Sequence, residues 1–288
     1  MRRKDLVRVP SNMKTIFRHT FTRMIGQVLG WGISFGVISW YVMVLHDTFS
    51  NQSTQYLEFI KSYPPELIAF FGDMTKIFSP GGFLDSTIFS YGVMVLGIFS
   101  ILAGSGLLAS DEETGKLDLI QAHPISRTAL FLGRFFGFAT ATAAILVIVW
   151  CGFALGYPSA NFQVSLAAMV LPFLPTFAEL ILFGALALWL SMILPSRSIA
   201  ASTAGIVLVI SYFLTSLSRV MENLQNIERL SPLHYYQGGY AVDGLNLTWF
   251  IGLLLIAGGF TFAAWFTYQR RDLRVSGERN WRLPGLVR

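Results

Sequence analysis

A nucleotide-binding loop needs Gly-x-x-x-x-Gly-Lys followed by Ser or Thr, so that backbone amides wrap the phosphates. The nearest stretch in this 288-residue chain, Thr114-Gly115-Lys116-Leu117, lacks both the first glycine and the hydroxyl. A metal site needs ligands at matched spacing, and His19, His46, His123 and His234 are scattered with no second ligand three or four positions on. Ala103-Gly104-Ser105-Gly106 has the outline of a nucleophile turn. A serine nucleophile needs a general base at the same depth, however, and no apolar stretch carries a histidine at its centre, so these glycines read as packing residues. The chain reads as no enzyme, with no catalytic residue, cofactor site or metal ligand of its own. Glu179 stands alone inside a long apolar stretch, where a carboxyl is costly and needs a partner or neutralisation. Two readings stand: it lines a translocation path or responds to protons, or it is a structural carboxyl bonded to a freed carbonyl or a neighbouring helix. Pro175 frees the carbonyl of Leu171 and Pro172 adds a second break, which predicts a kink.

The elements around these residues are set by composition. With 53% hydrophobic and 13% charged residues and a mean hydropathy of +0.56, the chain has about half the charge of a soluble domain and belongs in a membrane. One cysteine, Cys151, excludes an internal disulfide framework and reads as a small packing residue. A spanning helix needs about 20 apolar residues. Uncharged stretches give spans at 24–45, 88–109, 199–218 and 247–268; the 44 uncharged residues Phe135–Ala178, divided at Gly156-Tyr157-Pro158-Ser159-Ala160-Asn161, give spans at 135–156 and 165–194. Glu179 is the only ionisable residue in any of these six spans. The first span is too long and too aromatic at its end for a cleaved signal peptide.

Loops rich in Lys and Arg stay cytoplasmic. Seventeen of the 21 basic residues fall in the N-terminal segment, the 110–134 loop, the fourth-to-fifth turn and the tail; Lys61, Lys76, Arg219 and Arg229 fall on the other side. Both termini are therefore expected in the cytoplasm, and this topology accounts for the net charge of +5 without a nucleic-acid partner. The expected organisation is an interfacial helix in 1–23, a six-span domain over 24–268 with a cytoplasmic loop at 110–134, and a basic tail at 269–288. In the first of these, Ile16, Phe17, Phe21 and Met24 alternate with Arg18 and Arg23, which suits a helix lying in the interface, as an anchor or a partner-binding face. Outside, Tyr56–Ile60 and Leu67–Phe71 are too short to span and are expected on the outer leaflet.

Within the 110–134 loop, Gly115 suits a left-handed cap, Leu117, Leu119 and Ile120 suit one side of a short helix, and Pro124 ends it. Ser126 suits the cap of the helix that follows. Such a loop is either a docking element for a soluble partner or a solvated connection. Small residues recur at four-residue spacing as Gly26-x-x-x-Gly30-x-x-x-Ser34, Gly32-x-x-x-Gly36 and Gly133-x-x-x-Gly137-x-x-x-Ala141, rows that let helix backbones approach within a subunit or across a dimer.

Glu112-Glu113-x-Gly115-Lys116-Leu117-Asp118-Leu119, then Pro124-Ile125-Ser126-Arg127 and Gly133-Arg134 entering a span, resemble the signature of the ABC-2 type family of ABC transporter permeases. Leu230-Ser231-Pro232-Leu233-His234-Tyr235 before the last span and Arg270-Arg271-Asp272-Leu273 after it resemble that family's closing segments, so the likeness covers nearly the whole chain. It implies an all-α polytopic fold: a six-helix, type V exporter-like transmembrane domain with an N-terminal interfacial helix. It also implies a dimer with an identical or closely related permease, and two copies of a separate ATPase subunit that carries ATP and Mg on the cytoplasmic face. The 110–134 loop would then be the coupling helix, with the ATPase contact at Glu112, Glu113, Gly115, Lys116, Leu117, Asp118, Pro124, Ser126 and Arg127. Gln121-Ala122-His123 departs from the leucines or small residues common before that proline, which leaves the helix's orientation open. The resemblance further implies short re-entrant helices within Val220–Gly244, with Glu222, Glu228 and Arg229 facing water. The expected function is the permease subunit of an ATP-driven exporter of hydrophobic or amphiphilic cargo (drug, lipid or peptide) in the plasma or inner membrane. An ATPase-independent channel or secondary transporter, and a membrane anchor for a signalling or assembly complex, are the competing readings.

Overall fold

A computed structural model of the chain describes residues 12–51, 58, 62–64, 67–68, 76–115 and 125–270. Among these residues there are helices and turns and no strand. Among the described residues six helices are long and apolar enough to cross a membrane. They are α1 (Asn12–Asn51), α2 (Ser90–Glu113), α3 (Arg127–Gly156), α4 (Phe173–Ile193), α5 (Arg197–Ser218) and α6 (Leu247–Arg270). Most of the expected outer-leaflet segments Tyr56–Ile60 and Leu67–Phe71 lies outside the described residues, as do residues 1–11 and the tail beyond Arg270.

Helix α1 departs from expectation. The sequence predicts an interfacial helix that turns into a span near residue 23, whereas Asn12–Asn51 is one uninterrupted helix of 40 residues. No proline falls in it, and a lone Gly26 at the expected turn costs only about 1 kcal/mol in a helix interior. At about 1.5 Å per residue the helix is about 60 Å long, roughly twice the hydrocarbon thickness, so it projects beyond the bilayer.

The fourth span corrects a second expectation. Pro172 is the N-cap of α4 and Pro175 sits in its first turn, where a missing N–H breaks no ladder bond. The carbonyl of Leu171 is not freed but accepts from Leu174 N at 3.1 Å. The prolines start the helix and do not kink it. A 3-10 turn, Ala168–Val170, precedes it.

The second span is entered through Pro80–Leu84, capped by Ser79, and a π-helical turn, Asp85–Phe89. Asp85 is buried and accepts Gly239 N–H at 3.0 Å, which ties this entry to the turns between α5 and α6. Those turns, Glu222–Leu224, Gln225–Glu228, Pro232–Tyr235 and Gly238–Asp243, leave Glu222 and Arg229 exposed. Tyr236 Oη donates to Phe89 O at 3.1 Å.

Two parallel helix pairs build the core. Helices α1 and α3 run alongside each other in a constant register: Ile16 meets Gly133, Thr20 meets Gly137, Ile148 meets Gly32 and the backbone of Gly36 meets Gly152. Helices α2 and α4 repeat the arrangement. Ser100 Oγ donates to the Leu180 carbonyl, and Gly104 lies against the carbonyl of Gly184, with no room for a Cβ. Helix α4 is the most enclosed span, held between α2, α5 and α6.

Candidate functional site

The end of the bundle that carries Arg23, Asp111, Arg127 and Arg270 is the basic end, and the 110–134 loop emerges there. The loop leaves α2 through Thr114 and Gly115, whose amides bond Ser110 O at 3.3 Å and Glu112 O at 3.1 Å. Gly115 has φ +68°, the left-handed conformation its position suggests. The chain returns at Ile125, and the extended Ser126 accepts Ala129 N–H at 3.1 Å to cap α3.

Both feet of the loop are fastened to other helices. Glu113 Oε1 accepts Arg197 N–H at 2.9 Å, meeting one of the donors that the start of α5 leaves without an intrahelical partner. Arg127 Nη1 donates to Tyr268 O and Gln269 O, both at 3.3 Å, and so occupies carbonyls left open in the last turn of α6. Thr128 Oγ1 accepts from Gln269 Nε2 at 2.9 Å, which joins the same two helices again. Of the nine residues expected at the partner contact, Glu113 and Ser126 are exposed, and Glu112, Gly115 and Arg127 are half-buried. Lys116, Leu117, Asp118 and Pro124 lie outside the described residues.

Beneath the loop is a charged cluster that the sequence reading misses. Asp111 accepts from Arg134 Nη2 at 2.6 Å and from Arg23 Nη1 at 3.1 Å; Arg134 also donates to the Leu107 carbonyl. The Asp111 and Arg134 side chains are buried, at 7% and 8% exposure, whereas Arg23 is 56% exposed. The expected third span begins at 135, just after the last charge, but α3 begins at Arg127. Arg134 therefore lies two turns inside a helix, although it stands just outside the expected span. The Ser126 cap announces that helix start in the sequence; the pairing of Arg134 with Asp111 across two helices has no local signal.

The cluster floors a cleft of about 230 Å³ between α1, α2 and α5, whose polar lining includes His19, Arg23, Gln27, Asp111, Arg134 and Arg197. A second, apolar groove of about 480 Å³ runs between α3, α4 and α6, with Phe131, Phe135, Ile181, Leu254 and Trp265 on its walls. Glu179 belongs to neither. It is 0% exposed, and neither carboxyl oxygen has a hydrogen-bond partner. Among the described residues no group of three or more His, Cys, Asp or Glu is placed to hold a metal ion.

The small-residue rows divide. Gly32, Gly36, Gly133 and Gly137 pack within the subunit, between α1 and α3, while Gly26 and Gly30 have nothing within 4 Å of a would-be Cβ.

Residues 15–273, nearly the whole chain, match the family described as ABC-2 family transporter protein. Among curated proteins none matches the chain.

Proposed function

Since the chain belongs to the ABC-2 family of transporter membrane proteins, whose permeases generally pair with an ABC ATPase, we propose that it is the membrane-spanning permease subunit of an ATP-driven exporter. In this reading it works as a dimer with an identical or closely related permease and with two copies of a separate ATPase, which binds ATP and Mg. The observation that carries the reading is the fastening of both feet of the 110–134 loop, by Glu113 to the start of α5 and by Arg127 to the end of α6. A loop anchored in this way passes a displacement at its tip to α2, α3, α5 and α6 together, as coupling to a soluble motor requires. A solvated connection has no need of either contact.

In this reading the end and both termini lie in the cytoplasm, below a plasma or inner membrane, which the excess of Lys and Arg there supports. Hydrophobic or amphiphilic cargo such as a drug, lipid or peptide suits the apolar groove between α3, α4 and α6.

The test is gentle extraction of the tagged chain from its native membrane, followed by native mass spectrometry. An ATPase at one copy per permease is expected. Lys116→Glu combined with Leu117→Asp should weaken its binding by about 2 kcal/mol, roughly thirtyfold. These residues are chosen over Glu113 and Arg127, whose replacement would also loosen α5 and α6. Recovery of the chain without an ATPase would move the reading to a channel, a secondary transporter or an anchor.

A further inference from the structure

We propose that the cleft between α1, α2 and α5 at the basic end binds the phosphate-bearing headgroup of an anionic membrane lipid. Its charged lining consists of Arg23, Arg134 and Arg197 against the single acid Asp111, three cations to one anion and so a surplus of two positive charges. That acid is already committed, with Oδ1 accepting from Arg23 and Oδ2 from Arg134. Arg134 spends both terminal nitrogens, on Asp111 and on the Leu107 carbonyl, and forms the floor.

Arg23 and Arg197 are differently placed. Each guanidinium has five N–H donors. Arg23 gives one terminal nitrogen to Asp111 and stays more than half exposed, and Arg197 gives Nη2 to the Leu102 carbonyl at 3.1 Å. The Arg197 guanidinium lies flat on α2 at Gly106, where a Cβ would sit within 3.0–3.1 Å of it, so the absent side chain leaves the cation its place. Two guanidinium forks with donors to spare, facing one cleft, are the arrangement that recognises a phosphoryl group.

Depth and shape select the source of that phosphate. Asp111 lies two residues from the end of α2 and Arg197 opens α5, so the cleft stands where two spans reach the interface, at the level of lipid phosphates. Its remaining walls include Met24, Leu102 and Leu107, an apolar side that a glycerolipid fills below its headgroup and that a free phosphate ion leaves empty. The inference rests on the membrane placement of the helices and not on ATP-driven transport, so the two readings fail separately.

The full-length chain, reconstituted in vesicles of equal parts phosphatidylcholine and phosphatidylglycerol and then extracted gently, should retain phosphatidylglycerol preferentially in native mass spectrometry. Arg23→Gln with Arg197→Gln should lower that retention by about thirtyfold. Gln27→Glu, which sets a carboxylate in the cleft and leaves every arginine contact in place, should lower it as well; this variant decides the matter if the double variant does not elute as a folded protein. Unchanged retention in Gln27→Glu, equal retention of phosphatidylcholine, or complete displacement of the lipid by inorganic phosphate would each overturn the proposal.

Discussion

Asp111 and Arg134 form a buried ion pair at 2.6 Å, and the cost of breaking such a pair lies mostly in the charge left behind. Asp111→Asn should therefore destabilise the protein by about 3–5 kcal/mol. Asp111→Leu with Arg134→Met, which removes both charges and keeps the volume, should recover most of that loss. Size-exclusion chromatography after a heat ramp in detergent measures both; equal losses in the single and double variants would mean that the pair is not coupled. Arg23, half in water, should matter far less, with Arg23→Gln costing up to about 1 kcal/mol. Glu179 presents the opposite case, a carboxyl enclosed with no partner for either oxygen. A buried polar group without a partner costs about 1–3 kcal/mol, so Glu179→Met should raise the midpoint of the same heat ramp, and a fall would reveal a bonding partner. If the carboxyl serves transport, Glu179→Gln should slow the process or alter its pH dependence; an unchanged rate and profile would leave only a structural role.

At the scale of helices, the constant register of α1 on α3 makes a sharp distinction between glycines with the same spacing. Gly152 lies against the backbone of Gly36, so Gly152→Leu should overpack the pair and cost about 1–3 kcal/mol. Gly30→Leu should leave the subunit's own stability unchanged, because nothing lies within 4 Å of that position, and cysteine crosslinking in native membranes tests whether a second subunit of the proposed dimer packs there. The sequence could not tell these rows apart: in a bilayer, lipid-facing and helix-facing surfaces are equally apolar, so four-residue spacing identifies a row without naming its neighbour. What was legible was local. Gly115 and Ser126 declare a helix end and a helix start through their own backbone preferences, and uncharged length locates all six spans. What was not legible depended on where a hydrogen-bond ladder begins. Hydropathy puts the edge of a span after Arg134, although the Ser126 cap starts the helix well before it, and Pro172 and Pro175 begin a helix that hydropathy alone extends back to residue 165.

At the scale of the whole bundle the most enclosed span is α4. Helix α4, at its centre, is packed by α2, α5 and α6, and Glu179 within it is closed off from both clefts. In the proposed exporter a cargo path would run between subunits or open by movement of these helices, and in either case the loop that joins α2 to α3 and is fastened to α5 and α6 is the place to apply force. That argument needs the loop and the ATPase on one side of the membrane. The proposed reading puts that side in the cytoplasm, on the strength of the 17 of 21 basic residues that fall there in the sequence. Cys151 is the only native cysteine, so in a Cys151→Ser background two single replacements decide the matter. Leu230, 84% exposed in the turns between α5 and α6, and Thr114, exposed at the first foot of the loop, stand at opposite ends of the bundle. Leu230→Cys should react with a membrane-impermeant maleimide in intact cells, and Thr114→Cys only after permeabilisation, with its labelling slowed when the ATPase is bound. Reversed labelling would put the loop outside, beyond the reach of ATP hydrolysis, and the transporter reading would fall with it.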